Sequence, residues 1–420
     1  MNAGFSALSP QEAHERISMI RLARTPKIGP ITFSRFLGVY GTATRTLDAL
    51  IRDRHGSFAN LAVPPQAEIE DEIAFLEKLK GRHVLRSDKD YPLLLTHIPD
   101  APTLLFVRGD IQKTSLTSLS IVGARNASIG GIRLAESLAA EAANAGICII
   151  SGLARGIDSA AHKGALHSGL TVAALAGGLD VCYPPENARL QEAIAERGCL
   201  VTEQPPGIAP QAYHYARRNR IIAGMSLGCL VIEAAQGSGT MITAKNAVAY
   251  NRAVLAAPGS PLDARSRGSN DLIRQGAILT ESMQDILLAL PEVLPQRVPA
   301  PWTRDTIGNG NFLSTPGPLD PDQTLKKAVH HPHGASKTKS ATTDLSFLDE
   351  KDDFSEDSKE DIRKKMLSLL SFTPIAVDDI IAHCQFSISM VMTIISELEL
   401  EGVIECLPGG QVALLPDKVN

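Results

Sequence analysis

Between Leu104 and Leu290 short apolar runs alternate with longer stretches of helical spacing. The runs are Ser118–Val122, Ile147–Ser151, Thr171–Ala176, Cys199–Glu203, Cys229–Glu233 and Ala253–Ala257. Strands that alternate with helices predict βαβ crossovers, and such crossovers force a parallel sheet covered on both faces. Residues 86–290 therefore predict an α/β core, an extended Rossmann-like, doubly wound parallel sheet.

The pattern differs at either end. Within residues 1–85, Gln11–Ala23 has helical apolar spacing, Thr25-Pro26-Lys27-Ile28-Gly29-Pro30 breaks it, and Thr32–Tyr40 restarts a helix. This is a small helical module of the helix-hairpin-helix or SAM type. Lys27 and Arg35 are thin support for a phosphate site, so packing or dimerisation is its expected role. Residues 291–360 carry Pro, Gly, Ser and Thr with a late acidic cluster, and are expected to form a flexible linker. Residues 361–420 recover structure: a helix through Leu370, a short helix Val377–His383, a longer one Ser387–Glu401, and β-like Val403–Leu407 and Gln411–Leu415. Three helices and a hairpin predict a winged helix.

Composition agrees with this layout. The 420 residues are 44% apolar but only 4% aromatic, with 33 glycines, which suits α/β layers. A net charge of −5 argues against a uniformly basic coat. It leaves room for a local basic groove, because phosphates respond to charges within a Debye length of roughly 8–10 Å. The six cysteines form neither a CxxC nor a Cys/His cluster, and the expectation is reduced core thiols. The chain lacks a basic-then-apolar leader and any apolar run near the roughly 18 residues of a membrane span, so a soluble cytoplasmic protein is expected.

The candidate chemistry lies where strands break into glycine. Gly123-Ala124-Arg125 and Gly152-Leu153-Ala154-Arg155-Gly156-Ile157-Asp158 are one βαβ unit apart, and each sets an arginine just past the break. Such loops meet at the carboxyl edge of a parallel sheet, where N–H groups and helix N-termini favour anions. Neither loop has the G-x-G-x-x-G spacing, and Gly237-Ser238-Gly239-Thr240 lacks the lysine of a Walker A loop, so no dinucleotide or other cofactor is expected. Tyr213-His214-Tyr215-Ala216-Arg217-Arg218-Asn219-Arg220 is the densest basic-aromatic cluster, suited to phosphates and stacked bases. Gly239-Thr240 opens a helix toward the same edge. Asn187 and Asn270 are expected helix caps. Glu233 at a strand end leaves a second possibility, a nucleotide-cleaving hydrolase using it as acid/base. The winged helix leaves a third, a duplex-DNA regulator.

In order along the chain, Tyr91-Pro92, Val122–Arg125, Ser151–Asp158, Ala176–Asp180, Tyr183–Asn187, Arg218–Gly224, Gly237–Thr240 and Gly268–Asn270 resemble the DNA-processing protein A family (DprA, also called Smf). The resemblance implies a core that binds single-stranded DNA, self-associates as a homodimer, and helps load the RecA recombinase in natural transformation, without catalysis. Carried onto this chain, the family's basic pocket includes Arg125, Tyr215, Arg218 and Arg220; joined with the glycine loops and the basic-aromatic cluster, the expected DNA-binding set is Gly123, Arg125, Gly152, Arg155, Gly156, Tyr215, Arg217, Arg218, Asn219, Arg220, Gly239 and Thr240. One departure stands out: Tyr215-Ala216 occupies the place where family members often have Phe-Pro. Stacking survives that change, whereas loop rigidity is reduced. The helix Ser387–Glu401 carries Glu397, Glu399 and Glu401 and no lysine or arginine, which would repel phosphates, so a protein-contact or regulatory role is expected for the winged helix.

Overall fold

The computed structural model describes residues 8–52, 61–115, 117–291, 356–384 and 386–415. The expected linker at 291–360 falls almost wholly outside them. Four helices come first: α1 (Pro10–Arg24), α2 (Pro30–Tyr40), α3 (Ala43–Arg52) and α4 (Gln66–Lys78). Ser9 starts α1 by a capping box, its hydroxyl accepting from the Glu12 N–H while the Glu12 carboxylate takes the Ser9 N–H at 2.9 Å. The module is tied to the core rather than hung from it. Arg16 makes a two-pronged pair with Asp88 at 2.7 and 2.8 Å, and His83 Nε2 lies 2.8 Å from Glu72.

The core strands are β1 (Gly81–Leu85), β2 (Leu104–Gly109), β3 (Ser118–Gly123), β4 (Cys148–Ser151), β5 (Thr171–Ala174), β6 (Cys199–Thr202), β7 (Gly228–Ile232), β8 (Ala253–Ala256) and β9 (Ile278–Leu279). They form one sheet in the order β1-β2-β6-β5-β4-β3-β7-β8-β9. From β6 to β9 all pairings are parallel, as the alternating pattern predicts. The structure adds antiparallel β1 and β2 on the β6 edge, so the sheet begins at Gly81.

The crossover helices are α5 (Ile129–Asn144), α6 (Ile157–Leu166), α7 (Ala188–Arg197), α8 (Ala212–Gly224), α9 (Gly239–Ala249), α10 (Arg267–Arg274) and α11 (Met283–Ala289). Alternate strand residues feed two cores. Leu119 and Ile121 of β3 pack with α5, α6 and α11, while Val122 packs with α8 and α9 on the other face. Each fully buried branched side chain contributes about 1.5–3 kcal/mol. Cys148, Cys199 and Cys229 are buried in these strands, and burial pushes their thiols up, Cys148 to about 12 and Cys229 to about 11.

The C-terminal domain is a winged helix: α12 (Glu356–Leu369), β10 (Ile375–Ala376), α13 (Val377–Cys384), α14 (Ile388–Leu400), β11 (Ile404–Leu407) and β12 (Gln411–Leu414), with strand order β10-β12-β11. Its core of Met366, Leu370, Ile380, Val391, Ile394, Leu398 and Ile404 extends to Ile129 at the start of α5. The domain therefore sits on the sheet domain, pinned by Arg133 to Asp379 and by Arg265 to the end of α12. Among the described residues no helix is long and apolar enough to cross a membrane.

Candidate nucleic-acid interface

The strand order reverses at β3. The chain runs through β4, β5 and β6 on one side, then α8 carries it back to β7 on the other. A reversal of this kind leaves a crevice at the carboxyl ends of the strands, because the crossovers on either side diverge. Here the crevice has a volume of about 480 Å³. Gly123 to Asn126 after β3, Ala154 and Asp158 after β4, and Ser238 to Thr240 after β7 line its floor; Tyr215, Arg218 and Asn219 of α8 form a wall.

Two arginines bracket an aromatic ring in this wall. The guanidinium carbon of exposed Arg125 is 5.2 Å from the Tyr215 ring centre, and that of buried Arg218 is 5.9 Å away. Tyr183 meets the same ring edge-on at 6.2 Å. A cation over an aromatic face gains about 0.5–1 kcal/mol at exposed sites, so the arrangement holds the groups in place before any ligand arrives. Burial pushes the Tyr215 hydroxyl above its ordinary value, and Arg125 and Arg218 oppose that rise. A smaller pocket of about 70 Å³ opens beside the pair, lined by Leu175, Gly177, Pro184 and Pro210. Apolar walls next to two rings suit the flat face of a base.

Arg218 is only 6% exposed, yet it lines the crevice. Its guanidinium lies under the β4 loop, where Nη1 donates to the Ala174 carbonyl at 3.4 Å and sits 3.9 Å from Asp158. Its Nε has no hydrogen-bond partner among the described residues. A Cβ on Gly152 would fall 1.1 Å from Arg218 Nη1, so that position must be glycine for the guanidinium to be there. Asp158 in turn accepts from the N–H groups of Gly152 (3.1 Å) and Ala154 (3.4 Å). Burial pushes its carboxyl up, and Arg218 is the chief opposing influence.

Of the helices that begin at this edge, α5, α6 and α9 follow β3, β4 and β7 around the crevice, and their N-termini are not equivalent. Glu233 satisfies the start of α5, accepting from the Ser128 N–H at 2.8 Å and from the Ser128 hydroxyl. Asp158 lies in the first turn of α6. The N-cap of α9, Ser238, makes no side-chain capping bond, and its buried hydroxyl has no partner among the described residues. Meanwhile the Thr240 hydroxyl donates to the Gly123 carbonyl at 2.9 Å, holding α9 against the end of β3. Of the three, α9 is the one whose positive end is left for an anion.

The crevice and its side pocket gather Gly123, Arg125, Gly152, Arg155, Tyr215, Arg218, Asn219, Gly239 and Thr240 of the anticipated set. Gly156 lies just beyond, facing α12. Arg155 is exposed and paired with Glu186. Two arginines of α8 depart from expectation, because successive helical residues are turned by about 100°. Arg217 points outward, 4.0 Å from Glu203. Arg220 is buried on another side, donating to the Asp100 carbonyl and, at 2.5 Å, to Glu203. It is bound into the scaffold outside the crevice and its side pocket.

Neither asparagine makes a side-chain capping bond: Asn187 stands at the N-cap of α7 without one, and Asn270 lies inside α10. Asn187 donates to the Leu153 carbonyl and the Ser159 hydroxyl, both at 2.9 Å, fastening the β4 loop. Asn270 clasps Gly259 through both its N–H and its carbonyl. The site also uses residues outside the anticipated set: Asp158, Tyr183 and Arg265. Asp158 and Tyr183 stand in the glycine-loop and Tyr-Pro motifs, so their motifs carried a signal. Arg265 had only its place between two loops.

The sequence matches three family descriptions in order: DprA-like N-terminal HHH domain over residues 13–74, DNA recombination-mediator protein A over 82–291, and DprA winged helix domain over 350–410. Protein Smf of Escherichia coli (strain K12) is 41% identical over 226 residues, 53% of this chain and 60% of that protein. DNA processing protein DprA of Streptococcus pneumoniae is 43% identical over 201 residues, covering 48% of this chain and 71% of the other. The X-ray structure of DNA processing protein A from Streptococcus pneumoniae superposes with a TM-score of 0.52 at 35% identity, over 60% of this chain and 83% of that one. With half the chain under the central family description and its accessory domains matched on either side, the protein belongs to the DNA recombination-mediator protein A (DprA/Smf) family.

Proposed function

We propose that the protein binds single-stranded DNA in the crevice at β3 and acts there without catalysis. Its role on that reading is a cytoplasmic recombination mediator that protects incoming single strands and helps load RecA during natural transformation, working as a homodimer. The observation that carries the reading is Arg125 held over Tyr215 beside an apolar slot, above the unfilled N-terminus of α9. Arginine supplies the phosphate contact, the ring supplies a stacking face that every base shares, and an open crevice accommodates a polymer. Duplex DNA would keep its bases from the Tyr183 and Tyr215 rings.

Against the rival reading stands the setting of its candidate acid/base. Glu233 gives both carboxylate oxygens to Ser128, and among the described residues no arginine pairs with it. Nor does α14 suit a duplex groove, since Ile388–Leu400 contains two glutamates and no cation.

Fluorescence anisotropy with labelled oligo-dT tests the reading. Arg125→Ala and Tyr215→Ala should each weaken binding, with single strands competing far better than duplex. A folded double variant that binds oligo-dT as tightly as wild type would overturn it. RecA loading is checked separately, by filament growth on strands pre-coated with single-strand-binding protein.

A further inference from the structure

The winged helix does not merely rest on the sheet domain; it adds a wall to the binding surface. Between α12 and the loops after β3 and β4 runs a cleft of about 430 Å³. Arg125 and Asn126, which also line the crevice, open directly into it, and Arg155 lies further along. From the winged helix come Lys365 and Ser368. Three cations against one carboxylate, Glu186, line this cleft, although the chain as a whole carries a net charge of −5.

Lys365 is exposed and oriented. Its ammonium group donates to the Cys384 carbonyl at 3.4 Å and stands 5.0 Å from the Phe386 ring centre. An ammonium has three N–H donors, so the others remain for a ligand. The wall is also fixed. Arg265 spreads its guanidinium over the end of α12, donating to the Ser368 carbonyl at 2.8 Å and the Leu370 carbonyl at 2.6 Å while Asp263 holds it from behind. Arg133 of α5 pairs with Asp379 of α13 on the far side.

We propose that this cleft is a second stretch of the binding path, in which the docked winged helix holds the phosphate backbone of a single strand leaving the crevice, with Lys365 as its contact. The proposal rests on the reading of the crevice given above. It assigns the winged helix a part in single-strand binding that does not use α14 at all.

The test uses the full chain and two oligo-dT probes, a short one that fills the crevice and a long one that passes through the cleft. Lys365→Gln should leave the short probe unaffected and weaken the long one several-fold. The salt slope for the long probe should fall by about 0.7, the loss of one phosphate contact on a single strand. Arg133→Glu and Asp379→Arg should each reproduce that loss by releasing the domain, and the two together, with net charge unchanged, should restore binding. If Lys365→Gln leaves the long probe's affinity and salt slope unchanged while Arg125→Ala weakens both probes, the cleft is refuted and the crevice stands. If Arg125→Ala is also without effect, the crevice reading has failed and the cleft with it. Full binding of the long probe by Arg133→Glu, with hydrogen exchange showing the winged helix released, would likewise overturn the proposal.

Discussion

Gly123 ends β3 and Gly152 follows the neighbouring β4, yet a methyl group would do different damage at each. At Gly123 a Cβ would lie 1.9 Å from the Ile232 carbonyl, which is backbone and cannot step aside. At Gly152 it would strike the far end of Arg218, which can. Gly123→Ala should therefore lower the unfolding free energy by an amount typical of overpacking, about 1–3 kcal/mol or more, whereas Gly152→Ala should cost little stability but much of the oligo-dT affinity. Paired unfolding and anisotropy curves would separate the two. A buried histidine supplies a second expectation. His162 of α6 faces the Thr171 hydroxyl at 2.7 Å, and burial lowers its pKa from 6.5 to about 3. The folded state thus disfavours the proton, so this contribution to stability is intact above pH 6.5 and is lost as the pH falls toward 3. Urea midpoints between pH 7 and 4 should decline, and the decline should be shallower in His162→Gln. The glycine-arginine loops were legible in the sequence because residue type and strand end coincide. Arg220 was not, since four consecutive basic or polar letters say nothing about which side of a helix each will take.

At the scale of elements, α12 ends on a carbonyl-rich turn that another part of the chain must satisfy, and Arg265 does so. Arg265→Ala should leave the sheet domain intact while raising amide exchange across α12–β12, measured by mass spectrometry; uniform exchange changes over the whole chain would contradict that assignment. The parallel strands β3 to β8 announced themselves as short apolar runs between helices. Antiparallel β1 and β2 did not: β1 reads Gly-Arg-His-Val-Leu, with polar residues at two positions, and its partner lies nineteen positions beyond its end. Such a strand is stabilised by what pairs with it and by Ile69, Leu76 and Phe106 packed around it, of which only Leu76 is close in sequence. The winged helix was legible as a fold. Its seat on α5 was not, because Arg133 and Asp379 are 246 residues apart and look like ordinary surface charges.

Over the whole molecule, charge is distributed so that an acidic protein presents a cationic path. Arg125, Arg155 and Lys365 are concentrated near one sheet edge, and the interior cations Arg218 and Arg220 are each balanced by carboxylates. Exposed groups of this kind add little to folding. Arg125→Ala should shift stability by no more than roughly 0.5 kcal/mol and the half-buried Tyr215→Ala by about 1 kcal/mol, even as binding collapses; a loss of several kcal/mol would mean that the pair is part of the scaffold. On that expectation, the reversal of strand order at β3 is what lets binding and stability separate. The opening exists because the chain leaves β3 in one direction and returns from the other, so connectivity holds it apart and no side chain has to. A lineage can exchange the residues around the rim, retuning what the rim grips, without passing through unfolded intermediates. Adaptability is thus inherited with the topology itself.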